Sequence, residues 1–411
     1  MMRILWFSVW LGVIAASAPL AAVGEEAQGT PTYRRIRSPL DGISVVDTHD
    51  HLRPFDRLPG PMETDRGRGM TLHGLWRTGY FPQIHPPDNA LALFPQPKGR
   101  LQDGTEGPPE YGRGVSPREA EAGWIALFDG ATEFGWSGAK AADALLAGGE
   151  TSIEFGPFEL RAVVERAGTI TVGGVDYLLA PGPWTLPESK GQGPIRLSPG
   201  AAVRELAIRP LGLSTIFNGE ALEGWDRVDH PRIAPAKRPT WEVADGMLRA
   251  RGGPGALEYR GGRFGDLVLQ VVARTRAPHA NAGVFFRCRP GELMEGYEAQ
   301  VYNVCEGGDP ARPARYATGA IDDRQNARRL VSRDARPFTM TVVAQGPHLA
   351  TWINGYQVTD WADTRSTDEN PRQGLRTQPG TIQLQAHDRE TDVEFRSIRV
   401  GGLRDTGPAD R

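Results

Sequence analysis

Cysteine is nearly absent from this sequence. Its 411 residues include only two, Cys288 and Cys305. Small domains that depend on disulfides contain far more, so a disulfide framework cannot be the basis of the fold. The two cysteines could pair if their strands are neighbours, or remain as two buried thiols, and the sequence favours neither.

An excess of charge of either sign is also missing. The 47 basic and 50 acidic residues give a formal net charge of -3. Such a balance provides no overall field to attract nucleic acid or an anionic membrane, and neither is an expected partner.

Long helices are not expected either, because helix-breaking residues are abundant. The chain has 51 glycines and 34 prolines, which favour many turns and short strands. The composition therefore predicts an all-β protein rather than a helix bundle.

Beyond its first residues the chain has no apolar run long enough to span a bilayer. Residues 1–24 resemble a signal peptide: Arg3 is basic, Ile4 to Ala22 is apolar, and small residues follow. We therefore expect a secreted or periplasmic protein with no membrane span after cleavage at Ala22 or Gly24. An uncleaved anchor is the alternative, which Pro19 disfavours.

Residues 25–118 are predicted to be a largely irregular linker region with one notable motif. His49 and His51 end an apolar run, and alternate residues of a strand point the same way, so both could reach one metal ion. The motif resembles the first strand of metal-dependent amidohydrolase barrels. A complete barrel needs roughly 250 residues, far more than separate Val45 from Trp124. We therefore interpret the segment as a remnant, with metal-dependent hydrolysis the less favoured alternative.

From Gly123 onward, short alternating runs separated by turn residues predict strands. Residues 124–136 are echoed by residues 213–225, each with an aromatic before Asp-Gly or Asn-Gly and a later Gly-Trp. We therefore predict a small β domain at 119–212, a larger β-sandwich at 213–403 and a tail at 404–411. The predicted strands of the sandwich are Asp266–Arg276, Ala282–Cys288, Tyr297–Asn303, Phe338–Gln345, Ala350–Val358, Thr381–Asp388 and Asp392–Val400.

Strand alternation separates a polar face from a core face. Glu298 and Gln300 share one face of their strand, while Gln385 and His387 share one face of another. If the strands are neighbours, these residues converge with Arg287 and Asn281 on one surface. Amides that bind hydroxyls, beside an acid and an imidazole that transfer protons, would suit a sugar.

Residues 213–403 resemble the 3-keto-disaccharide hydrolase domain, a family with a concanavalin A-like jelly-roll sandwich. The resembling segments are Phe217–Gly219, Gly224–Trp225, Trp241–Leu248, Phe264–Leu269, Asn281–Arg287, Gly296–Gln300, Thr318–Ala320, Trp352–Gly355, Leu384–His387 and Glu394–Ile398. Two features depart from the family pattern. Ala282 replaces a serine, and Asp322 and Asp323 stand where aromatic or basic residues are expected.

The resemblance implies cleavage of glycosides already oxidised at C3, as a net hydrolysis or as a lyase. Glu298 and His387 are predicted as acid and base, and Arg287 would stabilise the enolate. A divalent cation could take that last role, and no metal ligand is predicted. The predicted substrate-binding residues are Asn281, Gln300, Gln385, Trp352 and Asn354. An upstream sugar oxidoreductase is an expected partner.

A non-catalytic carbohydrate-binding module is the alternative function, because fold alone does not give function. Trp352 and Tyr356 could then be stacking platforms. The arginine-rich stretch from Asp322 to Asp334 is predicted to be a loop tied by ion pairs at the mouth of the site.

Overall fold

The structure is a computed structural model, and it describes residues 61–64, 67–70, 112–189, 193–229 and 232–403. The chain divides into two compact units, Met1–Gly99 and Arg100–Arg411. In the first, strands β1 (Pro61–Thr64) and β2 (Gly67–Met70) form an antiparallel hairpin. The predicted signal peptide, His49, His51 and the tail 404–411 lie outside the described residues.

The second unit begins with one short helix, α1 (Pro117–Glu121), whose N-terminus is capped reciprocally by Ser116 and Glu119. The strands of the small β region follow. They are β3 (Ile125–Ala126), β4 (Trp136–Ser137), β5 (Lys140–Ala142), β6 (Leu145–Ala147), β7 (Glu150–Thr151), β8 (Phe158–Arg166), β9 (Gly168–Val172), β10 (Val175–Leu179), β11 (Gly182–Leu186), β12 (Arg196–Leu197) and β13 (Ala202–Pro210). One sheet has the order β10-β9-β12-β7-β4, and the other has β11-β8-β13-β6-β5 with β3 beside β13.

The remaining strands form a sandwich of two antiparallel sheets. They are β14 (Ser214–Phe217), β15 (Trp225–Val228), β16 (Thr240–Ala244), β17 (Met247–Arg251), β18 (Gly255–Phe264), β19 (Leu267–Thr275), β20 (Ala282–Cys288), β21 (Tyr297–Val301), β22 (Phe338–Gln345), β23 (His348–Ile353), β24 (Tyr356–Ala362), β25 (Gly380–Ala386) and β26 (Asp392–Gly402). The larger sheet has the order β16-β17-β26-β19-β22-β23-β24, with β14 beside β26. The smaller sheet has the order β15-β18-β25-β20-β21.

Two hydrophobic cores divide the second unit into layers. One fills the sandwich between its sheets, with Leu269, Phe286, Leu384 and Phe395 among its buried side chains. The other fills the small β region and also includes Val268, Val343, Ala350 and Trp352 from the larger sheet. The part of the outer face of the larger sheet formed by β19, β22 and β23 is therefore buried against the small β region.

The predicted all-β fold, a jelly-roll sandwich preceded by a smaller β region, is confirmed. Strands β20 and β22 have their predicted bounds. The single strand predicted at Ala350–Val358 is wrong, because β23 and β24 are joined there by a turn at Asn354 and Gly355. Both turn residues have positive φ, 50° and 71°, which the Asn-Gly pair adopts readily in tight hairpins.

The two cysteines are free thiols, Cys288 fully buried and Cys305 partly so. Burial raises the pKa of the Cys288 thiol well above its usual range. None of the helices in the described residues is long and apolar enough to cross a membrane.

Candidate functional site

The predicted polar face exists on the outer side of the smaller sheet. Strand β20 pairs with β21 on one side and with β25 on the other, so the three strands are neighbours as expected. Phe285 lies opposite Glu298 on β21 and Gln383 on β25, which places Glu298 and Gln383 on the same face. The intervening residues, including Val284 and Leu384, enter the sandwich core. The alternation in the sequence therefore predicted this face correctly.

The Glu298 carboxylate lies directly over Gly283 on the neighbouring strand. A Cβ atom at Gly283 would overlap the carboxylate, so glycine makes this position of Glu298 available. The side chain of Ala282 points the other way, into the core. Its departure from the family pattern consequently removes no group from the polar face.

Asp322 and Arg372 complete the surroundings of Glu298, and the sequence analysis assigned neither of them to the site. The amide of Asp322 donates to the carbonyl of Glu298 at 3.0 Å, beside a bridge between Ala299 and Ile321, so the two acidic residues lie opposite each other. Arg372 Nη2 donates to Asp322 Oδ2 at 2.8 Å, and Nη1 lies 3.4 Å from Glu298 Oε2. One arginine therefore lies over two carboxyl groups.

The environment shifts the pKa of Glu298 and that of Arg372. Burial raises the pKa of the Glu298 carboxyl well above its usual range, and the negative charge of Asp322 raises it further, against the opposing effect of Arg372. Burial alone would lower the pKa of Arg372, but its hydrogen bond to Asp322 and the charge of Glu298 raise it. The cluster thus favours a protonated Glu298 beside a charged arginine.

Unpartnered amide oxygens lie on the same face. Gln300 Nε2 donates to Asn281 Oδ1 at 3.0 Å, which brings those two predicted binding residues together. Gln300 and Gln385 are 5% and 3% exposed, and the Oε1 atom of each has no hydrogen-bond partner among the described residues. A buried carbonyl oxygen without a donor costs free energy, and a ligand hydroxyl would remove that cost.

His387 lies just past the end of β25 and is held next to Asn281. The Thr391 hydroxyl accepts from the His387 amide at 3.0 Å and donates to the Asn281 carbonyl at 2.8 Å. The imidazole Nδ1 pairs with Asp388 at 2.9 Å, so Nε2 is the nitrogen available for proton transfer. With the side chain 47% exposed, the ring borders the polar face at its open end.

Arg287 does not lie on the polar face, so the prediction of a catalytic role for it is corrected. It lies at an irregularity in the pairing of β20 with β25, has a φ of 52° and is fully buried. Its guanidinium donates to the carbonyls of Gly265, Gly346 and Arg376 and to the Asp266 carboxylate. The local break in strand alternation turned it away, and its contacts tie together turns at one end of the sandwich.

Trp352 and Asn354 are also placed away from the polar face. Trp352 is 1% exposed on the outer side of the larger sheet, where its indole N–H donates to the Ala126 carbonyl at 2.9 Å. Asn354 closes the turn before β24 by accepting from the Thr339 amide and donating to the Val331 carbonyl. Both are structural residues of the other sheet, so their predicted substrate-binding roles are corrected.

Two arginines of the arginine-rich loop make contacts in different parts of the structure. Arg324 donates to the carbonyl of Arg372 beside the polar face, which agrees with a loop at the mouth of the site. Arg328 instead stacks on Phe134 and Tyr356 and pairs with Asp129 at 2.8 Å in the small β region. Tyr356, buried under this arginine, cannot serve as a stacking platform for sugar.

Within the described part of the chain, no three His, Cys, Asp or Glu side chains lie together in a way that could hold a metal ion. Residues 212–401 match a family model described as the 3-keto-alpha-glucoside-1,2-lyase-like domain. We call residues 212–401 the lyase-like domain, because they match this family model. The resemblance deduced from the motifs of residues 213–403 is thereby confirmed, and the polar face belongs to the lyase-like domain.

Several solved structures are similar to part of this chain at low identity. One is a Parabacteroides distasonis protein of proposed glycosyl hydrolase activity, with 16% identity, a TM-score of 0.37, and coverage of 47% of this chain and 94% of that one. Another is the carbohydrate binding module CBM66 of Bacillus subtilis, with 13% identity, a TM-score of 0.31, and coverage of 43% and 93%. Scores this low carry no conclusion about activity. Comparison with curated protein sequences finds no match.

Proposed function

We propose that the lyase-like domain cleaves the glycosidic bond of a sugar already oxidised to a ketone at C3. The family supports a carbohydrate-related role for this domain. The observation that carries the finer proposal is the buried Glu298 carboxyl, whose raised pKa makes it a proton donor, beside the unpartnered amide oxygens of Gln300 and Gln385.

The reaction begins with removal of the C2 proton, which the C3 ketone makes acidic. His387 Nε2 takes this proton, and the electron pair of the broken C–H bond forms the enolate. The enolate then expels the oxygen at C1, breaking the glycosidic bond, and Glu298 protonates the leaving oxygen. The products are an alcohol and an unsaturated keto sugar. Addition of water to the latter would give net hydrolysis, and release without it would make the protein a lyase.

Arg372 is the group that stabilises the enolate oxygen, the role that the sequence assigned to Arg287. Glu298 is 4% exposed and lies against Arg372, which is 30% exposed, so in this proposal Arg372 moves aside to admit the sugar. In moving, Arg372 would give up its long contact with Glu298 and retain the shorter bond to Asp322. Its remaining N–H groups could then face the enolate.

The ketone at C3 requires an earlier oxidation, because ordinary glycosides carry a hydroxyl there. We propose that a sugar oxidoreductase supplies the substrate and that this protein acts after export, in the periplasm or outside the cell. The predicted signal peptide at residues 1–24 supports the location.

The decisive experiment measures sugar binding by calorimetry and turnover by product analysis on the same full-length preparations. We expect wild type to bind and cleave a 3-keto-glucoside. The double variant Glu298→Gln, His387→Ala should bind it within about threefold and lose at least about 100-fold in kcat, the usual contribution of one acid or base.

A matched control is the double variant Glu306→Gln, His279→Asn. It changes an exposed acid and an exposed imidazole of the same domain outside the polar face. This control should retain full turnover. Binding without turnover in wild type would instead support a non-catalytic carbohydrate-binding module and overturn the proposal.

A further inference from the structure

We infer that Asp322 and Glu298 hold a single proton between them, with the proton on Glu298, and that Arg372 is the counter-ion of the pair. Asp322 is then a positioning residue that keeps Glu298 in its acid form. Its catalytic consequence rests on the proposed function, but the shared proton itself does not.

The backbone places the two carboxyl groups together. The loop after β21 returns beside it through an isolated antiparallel bridge between Ala299 and Ile321. Gly319 donates to the Gln300 carbonyl at 2.9 Å, and Asp322 donates to the Glu298 carbonyl at 3.0 Å. Directly opposite residues of an antiparallel pair project on the same face. Asp322 and Glu298 therefore approach each other through the register of this bridge.

The charges near Glu298 do not support two ionised carboxylates. Asp322, Asp323 and Arg372 act on Glu298, and Asp323 has a cation of its own in Arg315, 3.7 Å away. Asp322 and Glu298 therefore have one cation between them, Arg372, which can balance only one ionised carboxylate. Arg372 also lies closer to Asp322, at 2.8 Å, than to Glu298, at 3.4 Å. Asp322 consequently takes the cation and Glu298 takes the proton.

The described side chains that face Glu298 from the neighbouring strands are neutral or have partners of their own. From β25 the side chains beside Glu298 are the neutral Gln383 and Gln385, and His387 at the end of that strand is paired with Asp388. Glu258, on β18, has its own cation in Arg260 at 2.6 Å and accepts from the Thr381 hydroxyl.

The test is a carbon-13 NMR titration of the full-length protein labelled at glutamate side-chain carboxyls. One resonance should titrate well above the usual range and be missing in Glu298→Gln, which assigns it. Asp322→Asn should move that midpoint down by about one pH unit or more, because a neighbouring negative charge is removed. Arg372→Met should move it up.

Asp323→Asn is the matched control, since Asp323 is exposed and has a weaker effect on Glu298 than Asp322. Asparagine also tolerates its φ of 59°. Its shift should be clearly smaller than that of Asp322→Asn. The inference is overturned if the Glu298 midpoint is unchanged in Asp322→Asn. It is also overturned if the midpoint moves down in Arg372→Met. If Asp322→Asn does not fold, the direction in which the Glu298 midpoint moves in Arg372→Met still tests the inference.

The kcat profile supplies a second readout. The alkaline limb, where Glu298 loses its proton, should move to lower pH in Asp322→Asn by the same amount and recover in Asp322→Glu. A merely structural role would lower kcat at every pH without moving the limb. If wild type cleaves no keto sugar, the proposed function fails while the NMR titration still tests the shared proton.

Discussion

Glu298 and Asp322 lie opposite each other beside the bridge between Ala299 and Ile321, and Arg372 contacts both carboxyl groups, at 3.4 Å and 2.8 Å. Three segments far apart in sequence meet here: β21, the loop after it and the loop before β25. Burial in this cluster raises the pKa of Glu298 well above its usual range, which is why the cluster anchors the functional proposal.

The pH dependence of the unfolding free energy should reveal the raised pKa of Glu298, and this test requires no assay of activity. A free glutamate titrates near pH 4.3, so above that pH the unfolded chain has released a proton that folded Glu298 still holds. Folding then takes up a proton, and stability falls as pH rises from about 4.3 to the raised folded pKa. In Glu298→Gln this fall in stability with rising pH should be absent, because the side chain no longer ionises.

The difference in unfolding free energy between Glu298→Gln and wild type should therefore grow in favour of the variant from pH 5 to pH 8, measured by urea unfolding. Glu306→Gln, an exposed carboxylate paired with Arg312, supplies the baseline. A difference that shrinks with rising pH would contradict the raised pKa.

His387→Ala should lower kcat by about 100- to 10,000-fold, the usual range for a general base, with KM for a 3-keto-glucoside little changed. The exposed His279 is the control. His279→Asn keeps a residue that accepts the positive φ of 58° and should preserve kcat. Equal losses in the two variants would remove His387 from the mechanism.

Arg287→Met and Arg372→Met should have opposite consequences. Loss of Arg287 leaves three carbonyls and the Asp266 carboxylate without this donor, so unfolding free energy should fall by about 3–5 kcal/mol. Arg372 is 30% exposed, and its loss should lower kcat far more than stability. Thermal unfolding and steady-state kinetics measured on both variants check the contrast, and a stable but inactive Arg287→Met would reverse the assignment.

Trp352→Phe should weaken the fold and leave sugar binding intact. The substitution removes the indole N–H bond to the Ala126 carbonyl and part of a fully buried side chain, which costs about 1–3 kcal/mol. Urea unfolding should show the loss, while calorimetry with a 3-keto-glucoside should give an unchanged affinity. Reduced affinity at wild-type stability would restore Trp352 as a stacking platform.

Strand alternation was sufficient to predict the polar face, because Glu298, Gln300 and Gln385 lie on regular strands where every second residue points the same way. It failed at Arg287, since an irregular pairing of β20 broke the alternation one residue before the strand's end. The site residues Asp322 and Arg372 lie in loops, where no periodicity exists. Asp322 had one signal, its departure from the family pattern, whereas Arg372 is recognisable only from its contacts.

The prediction for Trp352 failed for a different reason. Its strand was predicted as part of a sandwich, but the sequence did not show that the small β region covers the outer face of the larger sheet at β19, β22 and β23. An aromatic residue on a covered face packs in a core and cannot stack on a ligand. Asn354 likewise belongs to a tight turn that the merged strand concealed.

The most direct test of the account compares the initial rate of aglycone release by the full-length protein from a 3-keto-glucoside and from the same glucoside with a C3 hydroxyl. Only the ketone makes the C2 proton acidic enough for His387 to remove. The account predicts release from the keto substrate alone, reduced at least about 100-fold in Glu298→Gln. Comparable release from both substrates, or undiminished release in Glu298→Gln, would contradict it.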